Sequence, residues 1–417
     1  MSLPQFLSPR WGLLLLWVGW LASGHLTLVT RAANQDESKV RPYRLPDPLR
    51  LEDGRAVTNA QQWIQERRSQ VLRLFEDHVY GRPLPTPTAR RFLVVREDPQ
   101  ALGGRAIRQD VQLEILQPRA GIALDFTIFL PRSATGAIPM LVGLHLFDTA
   151  APEPRPAVGR RLPGQPTPDP TPAGKATLEA ILNRGFGLAS LNLGYLAPDS
   201  PTEYRRGAAY LMGIDTNRPP EPTETGALGI WAWGLSRALD YFETVPEIDA
   251  HRVAVIGHSR MGKAALWASA QDPRFAWTIA NNSGCGGAAL SKRDYGETVE
   301  IITRAFPHWF APHFRTYAGH EDQLPVDQHQ LIALLAPRPV YVGSAAEDHW
   351  ADPQGEFLAL VHAEPVFHLL GTPGLGTTSA QPQLDQPLGA TLRYHRRAGQ
   401  HDLTDVDWEH YLRFLSP

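Results

Sequence analysis

A serine hydroxyl becomes a nucleophile only when a neighbouring base takes its proton and an acid holds that base in place. One serine of this 417-residue chain stands in a context that would expose such a hydroxyl. Ser259 lies in the run Ala254-Val255-Ile256-Gly257-His258-Ser259-Arg260-Met261-Gly262-Lys263-Ala264-Ala265-Leu266-Trp267. Its β-branched, apolar start predicts a buried strand, and residues 263–268 predict a helix. Gly257 and Gly262 bracket the serine, and a side chain at either position would crowd a sharp strand-to-helix turn. The second glycine comes one residue later than in G-x-S-x-G, and an ordinary serine in a Gly-rich turn fits the same letters.

The partners a nucleophilic serine needs are available downstream, in the order serine, acid, histidine that α/β-hydrolases use. The strand Val340-Tyr341-Val342-Gly343 runs into Ser344-Ala345-Ala346-Glu347-Asp348-His349-Trp350, which places Asp348 just past a late strand. Asp348 can equally cap the turn Ala351-Asp352-Pro353, and Glu347 is adjacent. Near the C-terminus, Tyr394-His395-Arg396-Arg397-Ala398-Gly399-Gln400-His401-Asp402 sets His401 in a loop after a strand. The chain has 15 histidines; His395 and His410 are the alternatives to His401 as base.

These residues need a scaffold of strands alternating with helices. Trp63, Ile64, Val71, Leu72, Leu74 and Phe75 recur at helical steps across Asn59–Tyr80, with Glu66, Arg67 and Arg68 as a solvated face. From Arg91 to Leu130, Val111, Leu113 and Ile115, then Leu124, Phe126 and Ile128, alternate as antiparallel strands at a sheet edge would. Met140–Leu146 is a continuous apolar run and reads as a buried parallel strand. Further strands are expected at Gly187–Leu193, 252–256, 276–280 and 338–343, with helices at Thr177–Asn183 and Ala227–Thr244 between them. Pro-rich stretches at 150–174 and 197–226 predict long loop insertions. The expected fold class is α/β: a three-layer α/β-hydrolase sandwich, its mainly parallel sheet flanked by helices, in one domain over 34–417.

Composition narrows the rest. A net charge of -3 leaves no basic footprint for nucleic acid, and the lone Cys285 excludes an intramolecular disulfide and a multi-cysteine zinc site. The reading calls for no cofactor and no metal. Arg10 precedes the 12-residue apolar run Trp11–Ala22, the length of a signal-peptide core and too short to span a bilayer. Residues 1–33 are therefore expected to be a leader cut between Ala22 and Ala33, the alternative being an uncleaved anchor; either way the remainder is secreted or periplasmic. No membrane contact beyond the leader is expected, and the protein is expected to be a monomer.

Gly257-His258-Ser259-Arg260-Met261-Gly262-Lys263 resembles the nucleophile motif of the bacterial glucuronoyl esterases, carbohydrate esterase family 15. The resemblance continues through Trp231–Arg237, Ser283–Leu290, Phe306–Phe310, Leu324–His329, Ala336–Pro339 and Glu347–Pro353, covering about residues 225–415. It implies hydrolysis of the ester between a 4-O-methyl-glucuronoyl group of glucuronoxylan and a lignin alcohol, or of a small glucuronate ester. It further implies Ser259 as nucleophile, His401 as proton shuttle and Arg260 as oxyanion stabiliser, with Lys263 hydrogen-bonded to sugar hydroxyls. Trp350 would wall the sugar ring, and Glu297 would add a sugar contact.

Two departures from the family pattern stand out. Many members carry the triad carboxylate in an Asn/Gln-Glu-Ser-Gly string; here the string is Asn281-Asn282-Ser283-Gly284, so the charge must come from Asp348. Gly143-Leu144-His145-Leu146-Phe147-Asp148 replaces the usual Asn-Phe-x-Gly-Asn type segment near the oxyanion region. A broader carboxylesterase or acetyl-xylan esterase on the same fold remains an alternative, as does a carbohydrate-binding pseudo-enzyme that lost its acid at Asn282.

Overall fold

The computed structural model describes residues 33–146, 170–376 and 381–416. Within them ten strands form one sheet: β1 (Arg90–Gln100), β2 (Ala106–Ile115), β3 (Gly121–Pro131), β4 (Ile138–Leu144), β5 (Gly187–Asn192), β6 (Ile248–His258), β7 (Trp277–Asn281), β8 (Val340–Ala345), β9 (Leu388–Gly389) and β10 (Leu392–Arg397). Their order is β1-β2-β3-β5-β4-β6-β7-β8-β10-β9. The first three are antiparallel and β3 meets β5 antiparallel. From β5 through β4, β6, β7, β8 and β10 every neighbour is parallel.

Parallel neighbours need crossover connections, and helices supply them. The main ones are α1 (Pro172–Asn183), α2 (Ala227–Phe242), α3 (Arg260–Gln271) and α4 (Pro353–Leu369), while α5 (Asp405–Leu415) follows the last strand and packs on the sheet. Successive side chains of a strand face opposite sides, which sorts the core in two. Val253 and Val255 of β6, with Val340 and Val342 of β8, join the larger core with residues of α2, α3 and α4. Ala254, Ile256 and Tyr341 join the smaller core with residues of α1 and α5. The result is the expected three-layer sandwich. The carboxyl ends of β6, β7, β8 and β10 all fall at one edge of the parallel sheet, where such folds bind ligands.

Several local expectations need correction. Residues 60–80 are helical, capped by Asn59, whose Oδ1 accepts from the Gln62 N–H at 3.0 Å. Arg67 and Arg68, expected on a solvated face, instead tie this stretch to the body. Arg67 is buried and donates to the Pro48 carbonyl at 3.1 Å, and Arg68 donates to the Ala270 carbonyl at 2.7 Å. Ile64 is exposed although Trp63 is fully buried, since consecutive helical residues point about 100° apart. Of the expected 150–174 loop, 150–169 lie outside the described residues, and 172–174 already belong to α1. Thr171 accepts from the Gly174 N–H at 3.2 Å and Pro172 takes a first helical position, where its missing N–H costs nothing. The leader assigned to 1–33 also lies outside the described residues, apart from Ala33. Among the described residues no helix is long and apolar enough to cross a membrane.

Candidate active site

Ser259 sits between β6 and α3 with φ 56° and ψ -130°, a conformation L-residues rarely adopt. Such strain persists only where the surroundings impose it, and here the glycines do. A Cβ on Gly257 would lie 2.2 Å from the Met261 carbonyl, so no side chain fits there. A Cβ on Gly262 would lie 3.0 Å from both the Gly257 oxygen and the Ser283 Cβ. The later glycine therefore closes α3 against β6 and β7, and the spacing that misses G-x-S-x-G still makes the elbow. The Ser259 N–H donates to the Asn281 carbonyl at 2.9 Å, tying the turn to the end of β7.

The next strand ends bring the partners. His401 follows β10, and its ring packs against His258, the neighbour of Ser259, with centroids 4.6 Å apart. Its Nδ1–H donates to Asp348 Oδ2 at 2.5 Å. Asp348, past the end of β8, is only 4 % exposed, so its contacts decide whether it stays charged. Burial pushes its pKa up, but hydrogen bonds from His401 and Asn282 and attraction to His401 outweigh that, and the carboxyl is held below its ordinary range. Asp348 Oδ1 also accepts from the Ala351 N–H at 3.2 Å, so the capping contact coexists with the one to the histidine. Glu347 points elsewhere: its carboxylate accepts from Gly399 N–H and Gln400 Nε2, bracing the loop that carries His401. His395 is fully buried in β10 against Asp407, away from the serine turn.

Asn282, at the end of β7, donates through Nδ2 to Asp348 Oδ2 at 2.9 Å, the same oxygen that accepts the His401 Nδ1–H bond. The Asn282 amide thus helps to hold the carboxylate that also accepts from His401. Asn282→Asp replaces that donor by a second carboxylate, and two like charges this close share a proton. The pair's pKa rises, so the acid limb of kcat/KM is expected to move to higher pH while activity at pH 8 changes less. A pH–rate profile of the variant against the parent checks this.

Glu356 of α4 joins the two loops. Its Oε1 accepts from the Ser283 N–H, the Ser283 hydroxyl and the Gly284 N–H at 2.7, 2.9 and 2.9 Å, and its Oε2 from the Ser344 hydroxyl at 2.6 Å. Burial pushes its pKa up to about 7, from 4.5 for the free side chain. The folded state therefore keeps a proton that the unfolded chain loses, and stability falls as pH rises from about 4.5 to 7. A glutamine can accept the same three bonds at one oxygen. Glu356→Gln should melt like the parent at pH 4 and roughly a few degrees higher at pH 8, read by thermal denaturation at both pH values.

Lys263, Glu297 and Trp350 come together beside the acid loop. The Lys263 ammonium, on α3, donates to the carbonyls of Ser283 and Cys285 at 2.7 and 2.6 Å and lies 3.6 Å from Glu297 Oε2. The Glu297 N–H donates to the Trp350 carbonyl at 2.9 Å, and the Trp350 side chain is 44 % exposed. Gly296 makes this approach possible: with φ +62°, its Cβ would lie 2.5 Å from the His349 and Trp350 oxygens. The segment just after the expected leader braces the same loop. The Asn34 carbonyl accepts from the Gly296 N–H at 2.7 Å, and Glu37 pairs with Arg293, which also holds Asp352.

A cavity of about 750 Å3 opens at Ser259, with Arg260, Asp199, His145, Leu193 and Trp408 among its walls. Arg260 Nε lies 3.1 Å from Asp199 Oδ2, and its guanidinium is 5.9 Å from the centre of the Trp309 ring. Asp199 is fixed in turn by His308 Nε2 at 2.8 Å and Trp309 Nε1 at 2.7 Å. Sequence reasoning missed Asp199, which sits in a Pro-rich loop with no motif; its signal was the 306–310 string that supplies its donors. His145 leaves β4 with φ 49° and accepts at Nε2 from the Leu193 N–H at 3.1 Å. Phe147 and Asp148 of the atypical segment lie outside the described residues.

A serine held at positive φ on a strand-to-helix turn, with a paired aspartate and histidine after later strands of the same parallel sheet, is the arrangement of an α/β-hydrolase fold. Comparison with known proteins narrows the class. Residues 218–371 match the family described as glucuronyl esterase, fungi. The chain is 40% identical over 409 residues to carbohydrate esterase MZ0003 from an unknown prokaryotic organism, covering 95% of this chain and 94% of that one. It is 31% identical over 375 residues to 4-O-methyl-glucuronoyl methylesterase 1 of Wolfiporia cocos, covering 87% and 81%. The solved glucuronoyl esterase from Solibacter usitatus superposes with a TM-score of 0.81 at 41% identity, over 91% of this chain and 98% of that one. The chain belongs to the glucuronoyl esterase family, carbohydrate esterase family 15, and is a carboxylic ester hydrolase.

Proposed function

We propose that this protein hydrolyses 4-O-methyl-glucuronoyl esters of glucuronoxylan with lignin-type alcohols, and small glucuronate esters, through an acyl-enzyme. The observation that carries this reading is the placement of the Lys263–Glu297 pair and Trp350 beside the acid loop of a serine elbow. Ser259 Oγ attacks the uronoyl carbonyl while His401 Nε2 takes its proton and Asp348 holds the opposite ring nitrogen. Arg260 and its own N–H receive the oxyanion. His401 then protonates the departing alcohol, and water, deprotonated by the same histidine, releases the uronate. Glu297, steadied by Lys263, accepts from sugar hydroxyls, and the exposed Trp350 face covers the ring. The mature enzyme, 34–417, works as an exported monomer after loss of the leader.

Hydrolysis of benzyl glucuronate against a matched acetyl ester tests the reading. Strong preference for the glucuronate is expected, and equal or faster turnover of the acetyl ester would overturn it. Glu297→Gln should raise KM roughly tenfold with little change in kcat, since a hydrogen bond to a charged group contributes about 1.5–3 kcal/mol and is made before and during the reaction.

A further inference from the structure

Two buried charges beside the loop that carries the base, Arg397 and Asp407, are used by no step above. Arg397 ends β10 and is 3 % exposed. Its Nε donates to Asp407 Oδ2 at 2.7 Å, and its other nitrogens turn to the loop that carries His401. Nη1 donates to the Ala398 carbonyl at 2.9 Å, and Nη2 donates to the carbonyls of Gln400 and Asp402 at 3.0 and 2.6 Å. Those last two carbonyls flank His401 on either side. A planar fork of donors suits this task, whereas a single ammonium cannot span it.

Asp407 reaches the same histidine by a second route. Fully buried, it accepts from Thr404 at the start of α5 and, through Oδ1, from His395 and from Asn281 Nδ2 at 3.0 Å each. The Asn281 oxygen then accepts from His258 Nδ1 at 2.7 Å, and the His258 ring packs on His401. Burial and the neighbouring His401 push the His258 pKa down to about 4, so the ring stays neutral when His401 takes a proton.

We propose that the Arg397–Asp407 pair is the positioning device for the base: Arg397 grips the backbone on both sides of His401, and Asp407, through Asn281 and His258, backs the face of its ring. This rests on the reading of His401 as base. The imidazole is otherwise 40 % exposed on a loop, and a displacement of about 1 Å at a catalytic group costs about a hundredfold in rate.

The test uses the full-length enzyme with benzyl glucuronate and the variants Arg397→Lys, His258→Phe, His401→Ala and the double Arg397→Lys/His401→Ala. Arg397→Lys keeps the charge beside Asp407 but loses the fork. It should lower kcat about tenfold to a hundredfold with KM within about twofold. In the His401→Ala background the same change should alter the residual rate by less than about twofold, because it acts through the histidine. His258→Phe should lower kcat severalfold, and it carries the test if Arg397→Lys does not fold. Parent-like kcat in Arg397→Lys, or an equal loss with and without His401, would overturn the proposal. Parent-like turnover by His401→Ala would instead overturn the assignment of the base.

Discussion

Asp348→Asn is expected to lower kcat by about 10³–10⁴-fold while leaving KM near that of the parent, the scale seen when a triad carboxylate becomes an amide elsewhere. One oxygen of Asp348 receives two donors, His401 Nδ1–H at 2.5 Å and Asn282 Nδ2–H at 2.9 Å. An asparagine can present its oxygen to both, but without the charge that stabilises the imidazolium. Presenting its NH2 instead forces His401 into the wrong tautomer and sets two amide donors against each other. Because the native carboxyl is held below its ordinary range, it stays ionised into acid, and an acid limb in the parent's pH profile is expected to come from another group. Steady-state kinetics across pH will distinguish the two: the variant should be slow at every pH rather than shifted. Loss of less than about tenfold would mean that another group supplies the charge.

Arg260→Met should lower kcat by about 10²–10³-fold, the range for removal of one preorganised oxyanion donor. Methionine keeps much of the apolar stem while deleting the guanidinium that lies over Trp309. The effect is expected in kcat because the charge it meets exists only in the transition state. Asp199→Asn should give a smaller loss in the same direction, since the arginine stays but loses its charged anchor. A raised KM with unchanged kcat in Arg260→Met would place the guanidinium on the ground-state substrate instead.

The architecture was legible because its signals were periodic. The apolar runs around Val142, Val255 and Val342 gave the parallel strands, and the alternation from Val111 to Ile128 gave the antiparallel edge. The elbow was legible from Gly257, whose need for a bare backbone is local. Partners chosen by contacts distant in sequence were harder to read. Asp199 reaches Arg260 across the turn after β5, 61 residues away by number, and nothing in Pro198-Asp199-Ser200 announces it. Arg67 and Arg68 look like surface charges by composition, yet their guanidiniums are spent on backbone carbonyls of other segments. Lys263 was assigned to sugar hydroxyls by resemblance; the fold surrounds its ammonium with two carbonyls and Glu297, a steadying arrangement the letters do not reveal.

The contact between Asn282 and Asp348 also bears on how such a site can change over time. Two adjacent strands, β7 and β8, end close enough for Asn282 to share an Asp348 oxygen with His401, so the sheet offers two mounting points around a single charge. A lineage can therefore gain the second acid before it discards the first. A protein carrying both would be handicapped only in acid, where the crowded pair shares a proton, and would remain serviceable near neutrality. A move of the acid from one strand end to the next would then need no inactive stage, since an amide at the first position can hold the carboxylate at the second.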